Sequence, residues 1–220
     1  GIRRAKALNA DLVMFSELCV CGYPPRDFLE FRDFIEQCNH SVQLIAAEAK
    51  GIAVLIGSPT INPQPEGKDL YNSAYFLAEG KIIQVINKSL LPNYDVFDEY
   101  RYFEPNHEFG ATDFMGRRIG FTVCEDLWNA GINPLYVTTP VDKIAPFKPD
   151  YLLNISASPF NYNHAHDRIQ LLKETASKHQ LPLFYCNCVG AQTELIFDGG
   201  SIVVTPGGEI FDEMNYFEEQ

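Results

Sequence analysis

The sequence predicts a mixed α/β layered fold, with helices covering sheet. Three observations lead there. Short apolar runs of strand length recur along the chain, at 12–15, 52–57, 118–123 and 151–156. Amphipathic stretches at helical spacing separate them, chiefly 28–50 and 164–179. Hairpins with glycine in the turn are interspersed, around Gly80 and around Gly207 and Gly208. That mixture argues for helices packed on sheets.

Taken in order, residues 1–10 read as helix because Ile2, Ala5 and Leu8 recur at roughly helical spacing. The Leu-Val-Met-Phe run at 12–15 is a short buried strand ended by Ser16 and Glu17. Phe31, Phe34, Ile35 and Cys38 share one face of the helix expected at 28–50. A second buried strand covers 52–57, and two prolines and a glycine mark 62–69 as loop. Strands at 71–77 and 81–86 form a hairpin, and 91–109, polar and aromatic without period, reads as a long functional loop. Strands follow at 118–123, 151–156 and 183–189, with a helix at 164–179 on which Ile169, Leu172 and Ala176 are in register. A last hairpin joins 201–204 to 209–211. No repeat or linker composition interrupts the chain, so one domain is the economical reading.

Composition narrows the function. The 220 residues are 46% hydrophobic and 21% charged, enough for a sizeable core. The net charge of −12 repels nucleic-acid backbones and anionic lipid, so neither is expected as a partner. No run approaches the ~18 apolar residues that a membrane span needs, and no apolar segment follows Arg3, Arg4 and Lys6 to make a secretory signal. Six cysteines without such a signal point to free thiols in a reducing cytoplasm.

Three polar residues stand just past apolar strands: Glu17, Lys88 and Cys124. Were those strands neighbours, their carboxyl ends would converge at one edge, where α/β proteins build sites. A thiol is a weak nucleophile until it loses its proton, at about pH 8.5 when unperturbed. A cation at Lys88 favours the thiolate and the oxyanion of a tetrahedral intermediate, and a carboxylate at Glu17 moves the proton. Taken singly, each has a plainer reading: a buried small apolar cysteine, a capping glutamate, a solvated lysine.

Their context decides between these readings. Phe15-Ser16-Glu17-Leu18 is followed by Gly22-Tyr23-Pro24-Pro25-Arg26-Asp27. Lys88-Ser89-Leu90-Leu91-Pro92-Asn93-Tyr94 runs on to Val96-Phe97-Asp98-Glu99 and Arg101-Tyr102-Phe103. Cys124-Glu125-Asp126-Leu127-Trp128 and Asn154-Ile155-Ser156-Ala157-Ser158-Pro159 complete the set. Over nearly its whole length the chain resembles the carbon–nitrogen hydrolase (nitrilase) superfamily, and within it the glutaminase domain of glutamine-dependent NAD synthetases. The resemblance implies a four-layer α-β-β-α sandwich with Cys124 as nucleophile, Lys88 as oxyanion stabiliser and Glu17 as general base. It places a second glutamate at Glu99 and substrate contacts at Tyr94, Glu125 and Ser158. Free glutamine carries an ammonium and a carboxylate; Glu125 suits the first, and the Ser158 hydroxyl or backbone the second.

The chain departs from the family pattern six residues after Ser158, where Lys or Arg gives way to His164. Two candidates for the carboxylate contact stay open: a protonated His164, or Arg168 one helical turn on. The resemblance also implies L-glutamine as substrate, homo-oligomers, and a synthetase domain on the same polypeptide. ATP and Mg belong to that domain, and no cofactor is expected in this one. No Ser-Gly-Gly phosphate loop occurs before Gln220, and the family's first strand precedes Gly1. The expectation is therefore a single glutaminase domain over 1–220, incomplete at its N-terminus and without the synthetase domain. The alternative is a stand-alone amidase or ω-amidase of the same superfamily.

Two other features are weighed and set aside. Cys19-Val20-Cys21 and Cys186-Asn187-Cys188 could together make a four-thiolate zinc site, but the spacing is not that of structural zinc, and unrelated core cysteines are the preferred reading. No metal site is expected. Trp128 suits either the pocket or the packing around it.

Overall fold

The computed structural model describes residues 1–129, 135–162 and 164–219. The chain forms two compact units, residues 1–106 and 107–220.

The first unit is a four-stranded sheet with helices α1 (Ile2–Ala7) and α2 (Arg32–Glu48). Its strands are β1 (Leu12–Met14), β2 (Ala53–Ile61), β3 (Leu70–Ala78) and β4 (Lys81–Asn87), in the order β1-β2-β3-β4. β1 pairs parallel with β2, and the other two pairings are antiparallel. β1 and β4 are therefore the two edges of the sheet, not neighbours. Two reversals in succession nonetheless leave β4 running in the direction of β1. Their carboxyl ends meet the same border, roughly 14 Å apart at ~4.8 Å per strand, a gap that long side chains and a short turn can close.

Helix α2 buries Ile35, Cys38, Val42 and Ala46, spaced at about one turn, so its apolar stripe faces the sheet. Val42 and Ala46 pack with Ala5 of α1 against Val54, Ile56, Tyr75 and Leu77. Residues 28–30, the start of the stretch read from sequence as helix, belong instead to a separate 3₁₀ turn, Arg26–Glu30. The 91–109 segment is docked rather than free. Glu99 N–H donates to Pro92 O at 3.1 Å, Glu104 N–H to Leu70 O at 2.8 Å and Asn106 N–H to Lys88 O at 3.0 Å. A 3₁₀ turn at Glu99–Arg101 results.

The second unit has a six-stranded sheet, order β12-β11-β8-β7-β6-β5. It comprises β5 (Ala111–Phe114), β6 (Arg117–Val123), β7 (Tyr151–Ser156), β8 (Leu183–Asn187), β11 (Ile202–Val204) and β12 (Ile210–Glu213). β6, β7 and β8 are mutually parallel and the outer pairings antiparallel. A separate hairpin joins β9 (Val189–Gln192) to β10 (Leu195–Asp198). Helices α3 (Pro140–Ile144) and α4 (His164–His179) lay Val141, Ile144, Leu171, Leu172 and Ala176 against Leu152, Leu183, Ile202 and Val204. A methyl on Gly120 would stand 2.9 Å from the Ile144 side chain, so glycine there lets α3 settle onto β6.

No helix among the described residues is long and apolar enough to cross a membrane.

Candidate active site

In the first unit, sequence and topology converge on a buried ionic cluster. Lys88 follows β4 directly and has 0% exposure. Its ammonium donates to Oε1 of Glu17 at 2.7 Å and to Oε1 of Glu99 at 2.7 Å. Glu17 arrives from the β1 end through a turn packed on Gly57. The Val20 N–H donates to Gly57 O at 3.1 Å, and the Cys19 thiol reaches the same carbonyl at 3.7 Å. Glu99 is supplied by the docked loop. Two residues that the sequence reading did not single out complete the cluster. The Tyr23 hydroxyl donates to Glu99 Oε1 at 2.7 Å, and Asn72 Nδ2 donates to Glu17 Oε1 at 2.7 Å and to Glu99 Oε2 at 3.4 Å. A buried asparagine amid the apolar β3 was the available signal.

One cation between two carboxylates leaves an excess negative charge in a site buried from solvent. Burial therefore pushes the Glu99 carboxyl up to about 7, against the pull of Lys88, and the nearby Glu17 charge adds to the rise. Near neutrality the cluster holds a proton that Glu99 can give or take.

In the second unit, Cys124 ends β6. It is buried, with φ at +42°, a left-handed conformation that non-glycine residues rarely adopt and that sites often hold. The chain turns there into a 3₁₀ segment, Cys124–Leu127. The Asp126 carboxylate secures the turn by accepting the Val123 N–H at 3.0 Å. Glu125 is buried and accepts the Tyr136 hydroxyl at 3.0 Å. Leu127 belongs to the helix-covered core, and Trp128 packs against that core. Ser158 is buried just past β7, its backbone held by the Asn187 side chain.

The remaining candidates fare differently. Tyr94 is 42% exposed and stacks edge-on against Phe97 at 5.5 Å. His164 begins α4, and its side chain lies outside the described residues. Arg168 is corrected as a carboxylate clamp. It is fully buried, and its guanidinium grips both oxygens of Asp198 at 3.1 and 2.9 Å, a geometry that spends the fork on the protein's own carboxylate. The C-x-C cysteines are not core residues either. Cys19 is exposed and Cys21, Cys186 and Cys188 are half-buried, while Cys38 of α2 is buried. Among the described residues no group of three or more His, Cys, Asp or Glu could hold a metal ion.

A family model for carbon-nitrogen hydrolases matches residues 2–220. The chain belongs to the carbon–nitrogen hydrolase family.

Relatives place this carbon–nitrogen hydrolase more closely. It is 38% identical over 223 residues to a glutamine-dependent NAD(+) synthetase of Synechocystis, covering 98% of this chain and 40% of the relative. It is 34% identical over 224 residues to the Thermotoga maritima protein of the same name, covering 100% of this chain and 37% of the relative. A solved glutamine-dependent NAD+ synthetase from Acinetobacter baumannii superposes with TM-score 0.89 at 33% identity, covering 100% of this chain and 39% of that one. An amidase from Nesterenkonia shares the fold at 23% identity, TM-score 0.79, covering 97% of this chain and 76% of that one. The chain thus spans about two fifths of the length of the NAD synthetases it matches.

Proposed function

We propose that this carbon–nitrogen hydrolase is the glutaminase part of a glutamine-dependent NAD synthetase. The observation that carries the reading is Lys88, buried and held at 2.7 Å from both Glu17 and Glu99, in a chain whose Cys124 closes a strand in a strained turn.

Glu17 takes the Cys124 proton as sulfur attacks the side-chain amide carbon of glutamine. Lys88 stabilises the oxyanion. The tetrahedral adduct collapses, the amide C–N bond breaks, and the proton held by Glu17 goes to the departing ammonia. Water, deprotonated by Glu17, then attacks the γ-glutamyl thioester and releases glutamate and the thiol. Glu99 positions Lys88 and tempers the charge of the cluster. Glu125 accepts the substrate ammonium, Ser158 and His164 take its carboxylate, and Tyr94 lies at the entrance. None of these steps calls for a cofactor; ATP and Mg serve the synthetase domain, which uses the ammonia to amidate an adenylated nicotinic acid dinucleotide. The setting is a cytoplasmic homo-oligomer, in keeping with free thiols on the described residues.

The test is Cys124→Ala in the full-length protein. Glutamine-dependent NAD synthesis should vanish while synthesis from ammonium persists, and a glutamine-shaped diazo-ketone should label Cys124 in the wild type. Label on Cys19, Cys186 or Cys188 instead would remove the nucleophile assignment. Turnover of simple aliphatic amides in preference to glutamine would move the reading to a stand-alone amidase.

A further inference from the structure

Behind Ser158 lies a polar network that the proposed chemistry does not use. Asn187, the last residue of β8, is buried and aims its side-chain amide at Ser158. Its Oδ1 accepts the Ser158 N–H at 2.9 Å, and its Nδ2 donates to the Ser158 carbonyl at 3.3 Å. One side chain thus takes both backbone groups of one residue, as a neighbouring strand would, just where the β7 ladder has ended.

The amide cannot turn over. Nδ2 also faces Asp198 Oδ1 at 3.3 Å and the Gly199 carbonyl at 2.9 Å. A flipped amide would set its oxygen against a carboxylate and two carbonyls. Asp198 is in turn held by both arms of Arg168, whose guanidinium also reaches the Gly199 carbonyl at 3.4 Å. Arg168 and Asp198 are 1% exposed. A buried pair of this kind stabilises little against an apolar replacement, and its best-attested use is to specify one arrangement. Here the arrangement it specifies is the direction of one amide.

We infer that Asn187, locked by the Arg168–Asp198 pair, is a positioning residue that fixes Ser158 for the carboxylate end of the substrate. The inference rests on the reading of Ser158 as a substrate contact. It also accounts for Arg168, which the resemblance left as a candidate for direct contact: the arginine acts on Ser158 through Asp198 and Asn187, three hydrogen bonds away.

Two cysteine reagents on the full-length protein test it. A glutamine-shaped diazo-ketone needs the carboxylate contact; iodoacetamide has no such group and needs only an accessible thiolate. Asn187→Asp is isosteric but turns the Nδ2 corner into an acceptor facing Asp198. It should slow inactivation by the diazo-ketone about tenfold, the loss of ~1.4 kcal/mol, and leave the iodoacetamide rate unchanged. Asn187→Ser, which removes the amide without adding charge, should give the same split if Asn187→Asp melts at low temperature. Equal slowing with both reagents, unchanged rates with both, or two unfolded variants would each overturn the positioning role. If the wild type itself reacts no faster with the diazo-ketone than with iodoacetamide, the glutamine reading has failed and takes this inference with it.

Discussion

The Glu99 carboxylate sits 2.7 Å from the Lys88 ammonium and still has its pKa pushed up to about 7. An ion pair at that distance ordinarily lowers a carboxyl pKa; burial reverses the sign here, and the charge of Glu17, which shares the same ammonium, reinforces it. The folded value lies above the ordinary 4.5, so the native state binds more protons than the unfolded state between pH 4.5 and about 7. The contribution of Glu99 to stability is full below pH 4.5 and is lost as pH rises through about 7. Glu99→Gln stays neutral throughout. The denaturation midpoint of the wild type minus that of Glu99→Gln, followed from pH 4 to 8, should therefore decline across that window. Parallel curves would exclude a raised pKa.

Lys88→Met removes the cation from between two buried carboxylates. Stranding a buried charge costs ~3–5 kcal/mol, so a large fall in the unfolding free energy is expected. The deficit should shrink on acidification, because protonating Glu99 removes the repulsion between the two carboxylates, and Lys88→Met combined with Glu99→Gln should recover part of it at neutral pH. Under the proposed function, glutamine-dependent turnover should drop ~10²–10³-fold, as for loss of one oxyanion-hole donor, with ammonium-driven synthesis retained. A deficit insensitive to pH would mean that the carboxylates are not what Lys88 offsets.

Tyr23→Phe tests the same carboxylate from another side. The phenol donates to Glu99 Oε1 at 2.7 Å and lowers its pKa, opposing burial. Without it the pKa rises further, and the pH window found with Glu99→Gln should move upward. A bond to a charged group is worth ~1.5–3 kcal/mol, so the variant should also lose stability, more above the window than below it. An unmoved window would show that the hydroxyl does not serve the charged form.

Periodicity made α4 and β7 legible at the bounds the structure shows, because each is a single strong pattern: apolar residues one turn apart over 164–179, and an apolar run over 151–156. It missed β5 and α3, whose four and five residues are too short to carry a period, and the β9–β10 hairpin, where Gln192-Thr193-Glu194 has no turn glycine. Glu17 and Lys88 were visible as polar residues after strands. The reason they meet was not: strand order is a tertiary fact, and the two strands turned out to be opposite edges pointing the same way. Glu99 was reached only through resemblance, since one acid in an aperiodic loop looks like surface. Arg168 looked available for a substrate for the same reason, because nothing local announces an Asp198 in a different element.

Gly57 supplies the last prediction, one that rests on shape alone. It lies in β2 with an ordinary strand conformation, so alanine there meets no backbone penalty of its own. The obstacle is the turn from β1. A methyl on Gly57 would overlap the Leu18 backbone nitrogen and stand 2.8 Å from both Cα and the carbonyl carbon of Glu17. Backbone cannot rotate aside as a side-chain tip can, so Gly57→Ala must push the Glu17 segment away from β2 and carry its carboxylate off the Lys88 ammonium. A misplacement of about 1 Å can cost ~10²-fold in rate. Glutamine-dependent turnover should fall by one to two orders of magnitude, about 10–100-fold, and ammonium-dependent synthesis should hold. Gly110→Ala is the control, since a methyl there meets no atom within 4 Å, and its stability should stay within about 0.5 kcal/mol of the wild type. Full glutamine activity in Gly57→Ala would mean that Glu17 tolerates displacement, and with it that the 2.7 Å contact to Lys88 is not required for the chemistry.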